Sequence, residues 1–312
     1  MLNRRTLTAS LGLALTAWPA LTQEPPPDPD SQPAEMDAGR DSFDRMTIEV
    51  RIGAAGPFDF VVDTGADRSV LAAELAAELG LPEGPPVLVH GITGSQMTPT
   101  VQAPPLDLGA VRLPGLDMPV LPRGQLGADG LLGVDALQKR RLVMDFRNRR
   151  LEIQPTSRAR DPAPSGRETY VSARSRIGRL TLIDAVADGV GVTAFIDSGG
   201  GVSIGNPALA AAVRARGGWR SSADEVRMFG VTSESLAGEF RVLDTLRLGD
   251  LQFTDVPLVI GDLPVFQMWG MESRPTLLLG IDVLRLFSRV ELDYGRRRML
   301  FRSTVEPGSW QA

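Results

Sequence analysis

Two carboxylates close apolar, strand-like runs in similar settings. Phe60-Val61-Val62 leads into Asp63-Thr64-Gly65, and Phe195-Ile196 leads into Asp197-Ser198-Gly199. One such tripeptide is a weak signal, because a chain of this size carries one by chance. Two copies, each opening a similar stretch, suggest two carboxylates built to meet across a pseudo-two-fold axis. Carboxylates in contact cannot both ionise comfortably, so one keeps a proton. An ionised and a protonated carboxyl at one place can take a proton from water and offer one to an electron-rich oxygen. Such a pair titrates as a unit, and acid and base roles are not assigned to Asp63 or Asp197 individually.

Composition removes most other chemistries. The chain has 312 residues, 43% hydrophobic and 23% charged, with a formal net charge of −5. That fits a packed globular protein of about two domains and disfavours nucleic-acid binding, which needs a basic face. There is no cysteine, and His90 is the only histidine. Thiol chemistry and a zinc site of two or three histidines are therefore excluded. Hydrolytic chemistry must rest on carboxylates, hydroxyls, amides or a hard metal.

The elements that position the two carboxylates repeat. Thr47 to Gly53 alternates as a strand, Gly56-Pro57 is expected to turn it, and Phe58 to Val62 returns. In the second half, Leu180 to Val186, an Asp188-Gly189 turn and Val192 to Ile196 do the same. Ser69 lies six residues past Asp63, and Ser203 six past Asp197. A helix is expected after each, over Leu71–Gly80 and Asn206–Val213, the second with Asn206 as N-cap and Pro207 at its first position. Two glycine hairpin tips follow, Val89-His90-Gly91-Ile92-Thr93-Gly94 and Met228-Phe229-Gly230-Val231-Thr232-Ser233. Each repeat closes on an apolar run with a glycine, Asp129-Gly130-Leu131-Leu132-Gly133 and Thr276-Leu277-Leu278-Leu279-Gly280, and then a last pair of strands.

This constellation resembles the aspartic peptidases of the retropepsin and pepsin type, over nearly all of residues 45 to 303. The resemblance implies an all-β, two-lobed acid-protease fold with a short helix or two per lobe. It also implies a monomer holding both half-sites as an internal pseudodimer. It makes Asp63 and Asp197 the catalytic pair, with Thr64, Gly65, Ser198 and Gly199 supporting the dyad. Thr64 and Ser198 would hydrogen-bond across it. His90, Gly91 and Ile92, and Phe229, Gly230 and Val231, would form flaps over an extended protein or peptide substrate. Pepsin-like flaps carry a Tyr where His90 and Phe229 stand, and one working flap or two is left open. No metal or organic cofactor is needed. The expected activity is endopeptidase hydrolysis of peptide bonds. The alternative is a catalytically silent peptide-binding protein on the same fold.

Plainer readings stand beside these. Asp63 and Asp197 would otherwise be turn carboxylates capping local amides. His90 taken alone reads as a solvent-facing loop residue. Asp135 and Asp282 read as helix caps rather than metal ligands. The segment Gly261–Pro275, with Phe266, Met268, Trp269 and Met271, has no counterpart in the first repeat and reads as packing rather than substrate contact.

The expected organisation is an export signal over 1–22, a Pro- and acid-rich disordered tether over 23–42, and lobes over 43–155 and 169–305. A linker over 156–168 joins the lobes, and a tail covers 306–312. The signal reads from Arg4-Arg5, the apolar stretch around Leu11–Ala17 and the small residues after it, twin-arginine-like or of the general secretory type. It points to a bacterial periplasm, with membrane contact only through a retained signal segment.

Overall fold

Each aspartate tripeptide is reached by a β-hairpin. The computed structural model describes residues 34–41, 45–109, 111–156, 168–176, 179–219 and 224–303. The expected export signal, residues 23–33 and 42 of the tether, residues 157–167 of the linker and the tail lie outside the described residues.

In the first lobe, strands Met46–Ile52 and Ala55–Val62 pair antiparallel, with Ile48 opposite Phe60 and Val50 opposite Phe58. The turn is Gly53-Ala54, with Gly53 at φ +59°, and not the expected Gly56-Pro57. Pairing of Ile52 with Ala55 closes the hairpin in two residues. Pro57, which has no N–H to give, sits near the start of the returning strand. In the second lobe, Arg179–Ala187 and Val190–Ile196 pair around Asp188-Gly189. Both turn residues have positive φ, 44° and 75°, as a tight two-residue hairpin requires.

The apolar closing runs complete each lobe in the same way. Gly130–Leu132 lies between Ala55–Val62, to which it is parallel, and Val70–Ala72, to which it is antiparallel. Thr276–Leu279 lies likewise between Val190–Ile196 and Ile204–Gly205. The registers correspond, with Leu132 opposite Val62 and Leu279 opposite Ile196. The fold is thus all-β with two repeated lobes, as the sequence repeat implies. The helices are shorter on the first side than expected. Val70–Ala72 is strand and only Ala73–Glu78 is helix, whereas Pro207–Ala215 is helical with the Asn206 side chain accepting from the Leu209 N–H at 2.9 Å.

A shared sheet joins the lobes. Arg140–Asp145 of the first half pairs antiparallel with Phe287–Asp293 of the second, with Leu142 opposite Leu292. Arg150–Pro155 and Arg298–Ser303 flank them. Ala34–Asp37 adds to this sheet against Arg150–Ile153, and Gly39–Arg40 pairs with Met46–Thr47. Strand pairing therefore begins inside the stretch expected as a disordered tether and before Phe43. An edge position recruits a strand through main-chain bonds and needs little apolar sequence.

One apolar core runs through both lobes, from Ile48, Phe60, Leu71 and Leu132 to Leu279, Leu292 and Phe301. A second cluster lies in the C-terminal lobe and includes Phe195, Met228, Leu263, Phe266, Trp269, Met271 and Leu278. The Gly261–Pro275 segment supplies much of it. Contrary to expectation, that segment has a counterpart: its helix Pro264–Met268 occupies the place that the shorter Arg123–Leu126 holds before the closing strand of the first lobe. Phe266 and Met271 are fully buried, and the Trp269 ring lies 4.8 Å from that of Phe195, two residues before Asp197. This longer segment braces the strand that carries the second carboxylate, while Met268 is exposed.

Candidate active site

Asp63 and Asp197 leave their strands at equivalent points. The Asp63 N–H donates to the Leu132 carbonyl and the Asp197 N–H to the Leu279 carbonyl, each at 2.9 Å. The chain then turns sharply. Oδ1 of Asp63 accepts from the N–H groups of Gly65 (2.8 Å) and Ala66 (3.0 Å). Oδ1 of Asp197 accepts from those of Gly199 (3.1 Å) and Gly200 (3.0 Å). The local capping role expected of a turn carboxylate is therefore present in both loops. What it does not explain is how the loops face each other.

Each carboxylate rests against the glycine of the opposite loop. A Cβ placed on Gly65 would lie 2.4 Å from Oδ1 of Asp197, and one on Gly199 would lie 2.2 Å from Cγ of Asp63. Only the absence of a side chain lets the carboxyl groups approach the opposing backbone this closely.

A buried hydroxyl exchange fixes the spacing. The Thr64 N–H donates to Oγ of Ser198 at 3.1 Å, and the Ser198 N–H to Oγ1 of Thr64 at 3.0 Å. The hydroxyls donate onward, Thr64 to the Ile196 carbonyl (3.0 Å) and Ser198 to the Val62 carbonyl (2.8 Å). Both side chains are buried. Their donors and acceptors are thereby satisfied without water, as a buried polar network needs.

Behind each loop stands a Ser–Asp pair. Ser69 Oγ donates to Asp135 at 2.7 Å and Ser203 Oγ to Asp282 at 2.8 Å, and the same carboxylates accept the Ser69 and Ser203 N–H groups. The hydroxyls in turn accept from the N–H groups of Gly133 and Gly280. Asp135 and Asp282 are not the N-caps of their short helices, positions held by Gly133 and Gly280. They are clamps that hold the post-aspartate turn against the closing strand. Among the described residues, no group of three or more His, Cys, Asp or Glu side chains is placed to hold a metal. Burial pushes the Asp282 carboxyl above the ordinary Asp range, against hydrogen bonds from Ser203 and Val283 that pull it down.

Each lobe also carries a long hairpin, Glu83–His90 with Ser95–Ala103, and Asp224–Phe229 with Ser235–Leu248. Their tips touch. Oγ1 of Thr93 and Oγ1 of Thr232 are 3.1 Å apart and both residues are buried. A Cβ on Gly91 would meet Thr232 at 3.0 Å, and one on Gly230 would meet Thr93 at 2.8 Å. Ile92 packs against the second-lobe cluster that contains Phe195 and Trp269. The two hairpins thus meet tip to tip. Of the expected flap residues, Gly91, Ile92, Gly230 and Val231 lie at the tips. His90 and Phe229 end the incoming strands and are exposed, with His90 Nδ1 2.7 Å from the Ser95 hydroxyl.

The geometry repeats on both sides: strand, aspartate turn, hydroxyl, Ser–Asp clamp and glycine hairpin. The family model for aspartyl proteases matches residues 48–136 and 183–283, more than half of the chain. The chain belongs to the aspartyl protease family. Each matched block starts in the hairpin leading to an aspartate and ends in the short helix after the closing glycine, so the family signature and the structural repeat divide the chain alike. No curated protein matches the chain.

Some contacts of this aspartyl protease family member were not anticipated. The Thr93–Thr232 pair had a signal, since the tips read Gly-Ile-Thr and Gly-Val-Thr. The Ser–Asp clamps had one too, in the equal spacing of Ser69 and Ser203 from the aspartates. Arg45, which reaches the second aspartate loop, stands in no repeated pattern.

Proposed function

We propose that this protein is an aspartic endopeptidase in which Asp63 and Asp197 act as one catalytic pair on an extended polypeptide. The observation that carries the reading is the reciprocal seating of each carboxylate against the opposite glycine, Asp197 on Gly65 and Asp63 on Gly199. It brings two acids to one place on a buried, reciprocally hydrogen-bonded hydroxyl frame. A water between them loses a proton to the ionised carboxylate and attacks the peptide carbonyl carbon, while the protonated carboxyl gives its proton to the carbonyl oxygen. As the C–N bond breaks, the carboxyl that took the water's proton gives it to the leaving nitrogen. A hydroxyl of the tetrahedral diol returns its proton to the other carboxylate as the carbonyl re-forms, so the pair again holds one. The flaps would open to admit a strand-like substrate and close to exclude bulk water.

Both half-sites lie on one chain, so a monomer is the working unit in this reading. Thr64, Gly65, Ser198 and Gly199 support the pair, and the flap tips contact substrate. We place the protein outside the cytoplasm, in a bacterial periplasm, on the strength of the basic and apolar N-terminal sequence.

The test is incubation of the full chain with a peptide library across acid to neutral pH, read by mass spectrometry, with parallel titration by a statine-type transition-state mimic. Internal cleavage and one mimic bound per chain are expected. Peptide binding without turnover would make the protein a silent binder, and activity falling with dilution would place the site between chains.

A further inference from the structure

Arg45 precedes the first strand of the N-terminal lobe, yet its guanidinium ends at the aspartate loop of the other lobe. Nη1 donates to the Gly199 carbonyl at 3.2 Å and Nη2 to the Leu126 carbonyl. Nε donates to Oδ2 of Asp41 at 2.6 Å, and the Arg45 N–H to Oδ1 of Asp41 at 2.9 Å. Arg45 and Asp41 side chains are 7% and 2% exposed, so this ion pair sits in a dry setting. A buried guanidinium with every bond aimed is costly to place and sensitive to loss of any partner.

The carbonyl it reaches is part of the peptide between Gly199 and Gly200. The N–H of that same peptide, on Gly200, donates to Oδ1 of Asp197 at 3.0 Å. A cation-assisted bond to the carbonyl polarises the peptide and makes its N–H a stronger donor. A stronger donor to Oδ1 favours the ionised form of Asp197.

We propose that Arg45 is a positioning residue for Asp197, acting through the Gly199–Gly200 peptide to hold the second aspartate loop in place and to favour its carboxylate form. The inference rests on the reading of Asp63 and Asp197 as a catalytic pair. The charged groups around this path are Asp41, paired with Arg45, Asp197 beyond the peptide, Asp63 across the dyad, and Asp282 and the C-cap Arg285 of the short helix whose Ile281 N–H donates to the Gly200 carbonyl at 2.8 Å. The segment that carries Leu126 adds Arg123 and Asp129, which pair with each other at 2.8 Å. Because Asp41 balances the guanidinium, the Asp41–Arg45 pair links the start of the first lobe to the protonation of the second.

The experiment is the pH profile of kcat/KM for the full chain, using a peptide that the wild type cleaves, alongside Arg45→Met, Arg45→Lys and Asp41→Asn. In Arg45→Met the acidic limb should move up by about one pH unit, costing roughly tenfold at the acid end and much less on the plateau. Arg45→Lys should recover part of the shift. Asp41→Asn, which leaves the cation unbalanced, should move the limb the other way. A profile for Arg45→Met that is unchanged, or lowered equally at every pH, would overturn the proposal. If Arg45→Met does not fold, as judged by its melt, the Lys and Asn variants decide it by the same signs: limbs that coincide with the wild type overturn it. A wild type that cleaves nothing would sink the underlying reading and this inference with it, whereas an active wild type with an unmoved limb sinks the inference alone.

Discussion

Thr64 and Ser198 each supply the hydrogen bond that the other's main chain needs, at 3.1 and 3.0 Å, from opposite lobes. Ser198→Ala therefore leaves two buried groups unmet, the Thr64 N–H and the Val62 carbonyl. The expected loss is about 2–4 kcal/mol of stability, seen as a melting point lower by roughly 3–7 °C. Thermal unfolding checks it. The Thr64→Ala/Ser198→Ala double variant should lose less than the sum of the singles, because the two hydroxyls serve one network.

Gly65 and Gly199 test the fit of the site rather than the strength of the fold. Alanine at either position puts a methyl group into the opposite carboxylate, at 2.4 or 2.2 Å before anything moves. One carboxylate must shift, and a misplacement of about 1 Å costs on the order of 10²-fold in rate. We expect Gly65→Ala and Gly199→Ala to lose peptide cleavage to that extent. An active Gly199→Ala enzyme would show that the carboxylates need not approach the backbone.

The flaps should respond differently. Thr93→Val or Thr232→Val removes one partner of the buried hydroxyl pair and weakens the closed arrangement by about 1 kcal/mol. KM for a peptide substrate should rise by roughly two- to tenfold, with kcat changing less. Steady-state kinetics on both variants separates this from a catalytic defect.

Asp282 should favour the folded state more in acid than near neutrality. The Asp282 carboxyl binds its proton more tightly when folded than when unfolded, because burial raises it above the ordinary Asp range. Its contribution to stability is then fully present below the unfolded value and is lost as pH rises through the raised folded value. Urea unfolding of wild type and Asp282→Asn at a series of pH values should show the wild-type advantage shrinking as pH rises through that window. An advantage that grows with pH would reverse the assignment.

Much of this arrangement was legible because the chain states it twice. Asp63 and Asp197 could be paired from sequence only because hairpin, tripeptide, serine, flap and closing glycine recur in the same order around each. What did not repeat was not read. Gly56-Pro57 looked like a turn because both residues favour one, yet the strand register places the turn at Gly53, and register is a property of two strands together. Ala34–Asp37 looked like tether because its side chains cannot build a core, and its pairing is made by the main chain. Asp135 and Asp282 carried the right type for a cap, but their partners, Ser69 and Ser203, stand 66 and 79 residues away. Arg45 is a single residue whose contacts all come from tertiary folding.

The central claim is that Asp63 and Asp197 are one catalytic unit. Its most direct test is kcat/KM for Asp63→Asn, Asp197→Asn and the double variant on a peptide that the wild type cleaves, with the melting point of each confirming the fold. Each single variant should lose activity by about 10²–10⁴-fold, and the double should be little worse than either, since a shared proton is lost once. Full activity in either folded single variant would contradict the account.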